Sequence, residues 1–277
     1  MTIALLPVRS IAPFTTRRTI RSPILARTDG FAVETRGVTK EFAGFRAVNG
    51  VDLQLEAGRI HALVGPNGAG KTSLFNLLTG FLKPTSGEIL IFGRDATHLR
   101  ADQIANLGVA RSFQITSLFE QLSALEHVLL ALQSATDLGL RFWSSDGALR
   151  RFLPHGRELL GEVGLEAVAD RPASDLPYGQ KRALELAIAL AREPRLLLLD
   201  EPTSGMGLED VGRTIALIRQ VAGGRTVLLV EHNMGVVAEV AQRVVVMQQG
   251  RVIADGSYEV VRHEPAVIAA YLGQVDA

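Results

Sequence analysis

The chain has 277 residues, enough for one large domain or two modest lobes with an ample core. Lysine plus arginine equal aspartate plus glutamate at 29 each, so no overall basic field favours nucleic acid. There is no cysteine, which excludes disulfides and thiolate metal sites, and no apolar run approaches the ~18 residues that span a bilayer. Any membrane role is therefore expected to come through a partner. No fixed-period repeat argues for two fused copies.

Residues 1–30 differ from the rest. Arg9, Arg17, Arg18, Arg21 and Arg27 mix with serine and threonine, and the first acidic residue is Asp29. The composition resembles an organelle transit peptide, but Pro7, Pro13 and Pro23 spoil a long amphipathic helix. A disordered extension, or an upstream start codon, is the expectation here. From Phe31 the pattern turns strand-like: Phe31, Val33 and Thr35 alternate, then Val51, Leu53 and Leu55. An antiparallel lobe is predicted there. Between these strands, Phe42 lies in Lys40-Glu41-Phe42-Ala43-Gly44. An aromatic at this point could stack on a nucleobase for about 1–3 kcal/mol. On its own, Phe42 reads as a core residue.

The most informative stretch follows. Gly65-Pro66-Asn67-Gly68-Ala69-Gly70-Lys71-Thr72-Ser73 matches G-x-x-x-x-G-K-[ST] at every fixed position. The preceding run Arg59–Val64 reads as a buried strand, and Leu74, Phe75, Leu77 and Leu78 recur at helical spacing after it. A glycine-rich loop between strand and helix turns successive N–H groups, and the helix dipole, toward an anion. Lys71 would neutralise β- and γ-phosphates, and the Thr72 hydroxyl would ligate Mg²⁺. The stretch implies a nucleoside triphosphate site.

Beyond it, Pro84-Thr85-Ser86-Gly87 reads as a turn and Ile89, Ile91 and Phe92 as a strand closed by Gly93. Val109 to Gln114 reads as a strand ending on a polar amide. Helices are predicted over 122–132 and 150–163, with loops at Gly139 and Ser144–Gly147, so residues 115–175 look like a helical insertion. Trp143 reads as packing rather than ligand contact. Leu176-Pro177-Tyr178-Gly179-Gln180 precedes a helix through Arg192. Leu196 to Leu199 is a continuous apolar run, as a parallel strand buried on both faces requires, and it ends in Asp200-Glu201-Pro202. Carboxylates at the C-terminal end of such a strand stand where α/β sheets hold ligands: Asp200 for the Mg²⁺ shell, Glu201 to polarise water. A helix is predicted over 209–221 and a strand over 226–230, followed by Glu231-His232. His232 is singled out from the other histidines because its strand-end place matches that of Asp200-Glu201. A hairpin is expected from Val244–Met247 and Val252–Ala254, and short helices from Ser257 to Leu272.

The order of these pieces resembles the ATP-binding cassette (ABC) ATPases over about residues 31–272. The resemblance implies an α/β fold, an ABC nucleotide-binding domain over 31–277 with a RecA-like P-loop core, an antiparallel β lobe and a helical subdomain at about 115–180. It places Phe42 on adenine, residues 65–73 in Walker A, Gln114 in the Q-loop with catalytic and metal roles, and Tyr178, Gly179 and Gln180 in the signature. Leu197–Glu201 become the Walker B strand with its catalytic glutamate, and His232 the switch histidine. The implied ligands are ATP and Mg²⁺. Two cassettes would pair head to tail, each ATP lying between one Walker A loop and the other's signature.

The Glu231-His232-Asn233-Met234 stretch, Tyr178-Gly179 and the Ala270-Tyr271-Leu272-Gly273 ending resemble branched-chain amino-acid import ATPases. Urea importers and lipopolysaccharide exporters carry related cassettes, and soluble ABC ATPases acting on nucleic acid are the rival of another class. The implied partners are a second ATPase subunit of the same or different sequence and two membrane permease subunits. A periplasmic substrate-binding protein would act indirectly, and no nucleic acid is expected. The implied place is the cytoplasmic face of the inner membrane. Two departures stand out: Pro177 and Tyr178 replace the usual signature serine and first glycine, and Gly207 replaces the aspartate of the loop after Walker B.

Overall fold

The computed structural model describes residues 30–112, 118–135 and 151–272. Its first elements are β1 (Phe31–Phe42), β2 (Phe45–Glu56), β3 (Ile60–Val64) and α1 (Lys71–Leu78). Next come β4 (Ser86–Ile91), β5 (Arg94–Asp95), α2 (Ala101–Asn106), β6 (Val109–Arg111) and α3 (Ala124–Ser134). Then follow α4 (Leu153–Glu162), α5 (Tyr178–Leu190), β7 (Leu196–Asp200), α6 (Leu208–Val221) and β8 (Thr226–Val230). The last are α7 (Met234–Val240), β9 (Arg243–Gln248), β10 (Arg251–Gly256), α8 (Tyr258–Val261) and α9 (Pro265–Leu272).

Two sheets organise them. The strands of the N-terminal lobe lie in the order β2-β1-β4-β5, every pair antiparallel. The larger sheet runs β10-β9-β3-β8-β7-β6, parallel throughout except for β10 against β9. Side chains alternate across its strands. Leu63, Leu198, Leu228 and Val245 pack toward the β lobe and the α1 residues Leu74, Phe75 and Leu78. Ala62, Leu197, Leu199, Leu229 and Val246 face the helices, with Val128, Leu184 and Ile218 among their neighbours. Apolar surface on both faces is why these strands read as continuous hydrophobic runs. Phe75, fully buried, contributes roughly 1.5–3 kcal/mol by that burial alone.

Boundaries shift where capping chemistry decides them. The helix expected over 122–132 begins at Ala124, because Ser123 Oγ accepts from the Glu126 N–H and Glu126 Oε2 accepts from the Ser123 N–H. The helix expected over 150–163 is Leu153–Glu162. Phe92 leaves β4 with φ of 50°, so it belongs to the turn rather than the strand. The helix expected to follow Gln180 and run through Arg192 begins at Tyr178 and ends at Leu190. The expectations for Gln114, Gly139, Trp143, Ser144–Gly147 and residues 1–29 lie outside the described residues.

Because the central strands are parallel, β3, β7 and β8 deliver their C-terminal ends to one edge of the sheet. The segments 65–73, 200–203 and 231–233 gather there. This edge is where an open α/β sheet holds ligands.

Candidate active site

Two glycines of the loop after β3 are fixed by close backbone approach. Gly65 has φ of 150°, and a Cβ there would lie 2.2 Å from the Met247 carbonyl oxygen. Gly70 has φ of 99°, and a Cβ would lie 2.3 Å from the Ala47 carbonyl oxygen. The loop is thus held by β9 on one side and β2 on the other. The turn after β9 ties both together: the Gly250 N–H donates to Ala69 O (2.9 Å), and the Asn49 N–H donates to Gly250 O (2.8 Å). From the C-terminal helix, the Tyr271 phenol is raised by burial, opposed by a hydrogen bond with the Gly65 backbone.

Lys71 is buried, and its ammonium donates to Gly65 O (2.7 Å) and Pro66 O (2.9 Å). Desolvation lowers its pKa, while the charges of Glu201 and Asp200 pull it back up. The lysine and the carboxylates at the end of β7 therefore share one field. Thr72, the next residue, is exposed.

Asp200 does not stand alone. Arg111 Nη2 donates to Asp200 Oδ2 (2.9 Å) and Nη1 donates to Asn76 Oδ1 (2.6 Å), with the guanidinium 4.9 Å from the centre of the Phe75 ring. A charged side chain on an apolar strand needs such partners, and that need was the readable signal for Arg111. Its contact with Asp200 was not anticipated.

Glu201 has φ of 46°, a left-handed conformation unusual for a residue with a side chain. Its N–H donates to Val230 O (2.9 Å), continuing the ladder between β7 and β8 through the turn. The strained backbone aims the carboxylate at His232, whose Nε2 lies 2.7 Å from Glu201 Oε1. Both side chains remain partly exposed, at 37% and 44%. Beneath them Glu231 is buried, and its carboxylate accepts from the N–H and hydroxyl of Thr203 and from the N–H groups of His232 and Asn233. Asn233 in turn caps α7, accepting from the Gly235 and Val236 N–H groups.

Lys71, Asp200, Glu201 and His232 come together. Phe42 and residues 178–180 lie elsewhere. Phe42 stands half-exposed at the β1–β2 turn, with Lys40 Nζ 5.1 Å from its ring centre, so it is not core. Tyr178, Gly179 and Gln180 open α5. The Tyr178 hydroxyl donates to the Ser204 carbonyl (2.9 Å), and Gly179 lies beside the Asp210 carboxylate. Gly207 precedes α6 with φ of −71° and open space around it, so nothing in the fold demands glycine there.

A phosphate loop and strand-end carboxylates gathered at one edge, on this pair of sheets, define the class of ATP-binding-cassette ATPases. The chain matches the ABC transporter family over residues 48–204 and the branched-chain amino acid ATP-binding cassette transporter family over residues 251–277. It belongs to the ABC transporter family, within the group of branched-chain amino acid transport ATP-binding proteins. It is 40% identical over 252 residues to the high-affinity branched-chain amino acid transport ATP-binding protein BraF of Pseudomonas aeruginosa, covering 87% of this chain and 98% of the relative. To LivG of Escherichia coli it is 38% identical over 249 residues, covering 87% and 98%. Among solved structures, it resembles the ADP conformation of an ATP-binding cassette of an ABC transporter. That match has a TM-score of 0.78 and 26% identity, covering 88% of this chain and 99% of the other. It also resembles a dimeric post-hydrolysis state of a cassette bound to ADP and Pi, with a TM-score of 0.68 and 26% identity over 82% and 98%.

Proposed function

We propose that this chain is the ATP-hydrolysing subunit of an importer for branched-chain amino acids. The observation that carries the reading is the convergence of Lys71, Asp200, Glu201 and His232 at one sheet edge. It occurs in a chain whose full-length relatives are named for that transport. The loop amides and Lys71 hold the phosphates of ATP, and Phe42 stacks on adenine. Glu201 accepts a proton from the attacking water while His232 orients it and the γ-phosphate.

Thr72 and Asp200 offer oxygen donors, which suit Mg²⁺, a cation that completes its shell with water and substrate phosphates. When bound, Mg²⁺ neutralises charge on the β- and γ-phosphate oxygens. Gln114 joins this shell and the water by family resemblance. The role of Tyr178, Gly179 and Gln180 is exercised in trans, on the ATP held by a second cassette of the same or different sequence.

The chain is held at the cytoplasmic face of the inner membrane by two membrane permease subunits, with a periplasmic binding protein acting indirectly. Among the described residues no helix is long and apolar enough to cross a membrane. A cleft of about 270 Å³ lined by Phe81, Ile104, Leu118 and Ile188 is the place for a permease helix to dock. Purification of the complex with its membrane subunits, reconstituted in vesicles, tests the reading. Leucine, isoleucine or valine should stimulate ATP hydrolysis and accumulate, and urea should do neither. Stimulation by urea alone, or by no amino acid, overturns it.

A further inference from the structure

Glu201 and His232 meet at 2.7 Å, yet they leave different strands on separate loops. Neither loop is held by its own local bonding alone. Between them lies one buried carboxylate, that of Glu231, only 3% exposed. Its Oε1 accepts from the Thr203 N–H (3.0 Å) and hydroxyl (2.6 Å), on the loop that carries Glu201. Its Oε2 accepts from the N–H groups of His232 (3.0 Å) and Asn233 (3.2 Å), on the loop that carries the histidine. Each oxygen serves a different loop. We infer that Glu231 is the positioning residue of the hydrolytic pair, a staple that sets the distance and orientation between Glu201 and His232.

The chemistry requires a carboxylate with both oxygens accepting. Glutamine has the same shape, but its amide nitrogen is a donor and would face either two N–H groups or the Thr203 donors. One loop therefore loses its anchor in Glu231→Gln while the volume is unchanged. Thr203, 6% exposed, needs a partner for its hydroxyl in any case, so the staple is matched from both ends. The four bonds of the Glu231 carboxylate all go to protein groups. Its effect passes through the geometry of the other two, where a displacement of about 1 Å is worth on the order of 10² in rate.

This inference rests on the roles proposed for Glu201 and His232, and the test separates the two. In the full-length chain, ATP affinity, melting temperature and the kcat and KM of hydrolysis are measured for Glu231→Gln, His232→Ala, Glu201→Gln and the Glu231→Gln/His232→Ala double variant. Glu231→Gln should keep the fold and ATP affinity and lower kcat by about 10²-fold with KM unchanged. Thr203→Val, which removes only the hydroxyl bond, should fall between it and the native chain. The double variant should be no slower than His232→Ala, because no pair remains whose spacing the staple could set. Full activity of Glu231→Gln, or a further multiplicative loss in the double variant, overturns the positioning role alone. Native rates in both His232→Ala and Glu201→Gln overturn the site reading, and the staple with it.

Discussion

Arg111 Nη2 lies 2.9 Å from Asp200 Oδ2, so the proposed metal-shell carboxylate is already paired before any cation is considered. The arginine occupies one oxygen and leaves Oδ1 to the site. By bonding Asn76 on α1 as well, it fixes the end of β7 relative to the helix that follows the phosphate loop. A guanidinium can bridge two acceptors in this way; an ammonium cannot hold the same fork.

Arg111→Gln should therefore raise the Mg²⁺ concentration needed for half-maximal hydrolysis by about 10–100-fold, as loss of a group orienting a metal ligand does. ATP binding without Mg²⁺ should change little. Arg111→Lys should recover only part of the loss. A Mg²⁺ titration of the three chains decides the matter, and an unaltered midpoint in Arg111→Gln would show that Asp200 needs no such support.

Glu201→Gln should separate binding from turnover. The phosphate loop and Lys71 are untouched, so ATP affinity should persist, while loss of the proposed general base should lower the rate by about 10²–10⁴. The left-handed backbone at this residue is a property of the turn, so glutamine should occupy it without refolding the loop. Hydrolysis at the native rate in the assembled complex would remove Glu201 from the base role.

Much of this was readable from the sequence, for physical reasons that also mark its limits. The Leu196–Leu199 run could only be a strand buried on both faces, and the glycines at 65 and 70 stand where neighbouring backbone forbids a Cβ. Position at strand ends sufficed to bring His232 and Glu201 together. The partners of Arg111 and Glu231 were not readable. Their bonds join residues far apart in the chain, and no local periodicity records which side chain will be nearest after folding. Helix limits near Ser123 moved because a capping box, rather than the apolar repeat, sets the first turn.

Glu185 gives the fold a pH dependence of definite sign. Burial pushes its carboxyl up to about 7, against the pull of Arg182, whose Nη1 lies 3.0 Å from Oε2. The folded value lies above the unfolded value of 4.5, so the folded state binds this proton more tightly. The associated stability is complete below the unfolded value and is lost as pH rises through about 7, a change on the order of 3 kcal/mol. Glu185→Gln cannot titrate and should flatten this part of the profile. Between about pH 5 and pH 8 the melting temperature should fall less steeply with rising pH in the variant than in the native chain. Parallel profiles would mean that Arg182 keeps Glu185 ionised throughout.

If a second cassette pairs with this one as proposed, the departures in the signature should make the two ATP sites unequal. The α5 helix opens at Pro177, which offers no side-chain cap and no N–H, so the usual hydroxyl ligand to a partner's γ-phosphate is missing. That loss is worth roughly 1.5–3 kcal/mol for a hydrogen bond to a charged group. Tyr178 does not replace it, because its hydroxyl is spent on the Ser204 carbonyl of its own subunit. The N–H groups of the first turn of α5 remain as anion donors, so the partner's site should be weakened and not abolished. In a complex of two different cassettes, the site containing Glu201 should then turn over faster than the one facing Pro177. Replacing the catalytic glutamate by glutamine in one subunit at a time orders the sites: the larger loss should follow Glu201→Gln. Pro177→Ser should narrow the difference by restoring both cap and hydroxyl. A larger loss from the partner's variant would reverse the assignment of the weaker site, and no effect of Pro177→Ser on ATP affinity at the partner's site would remove Pro177 as its cause.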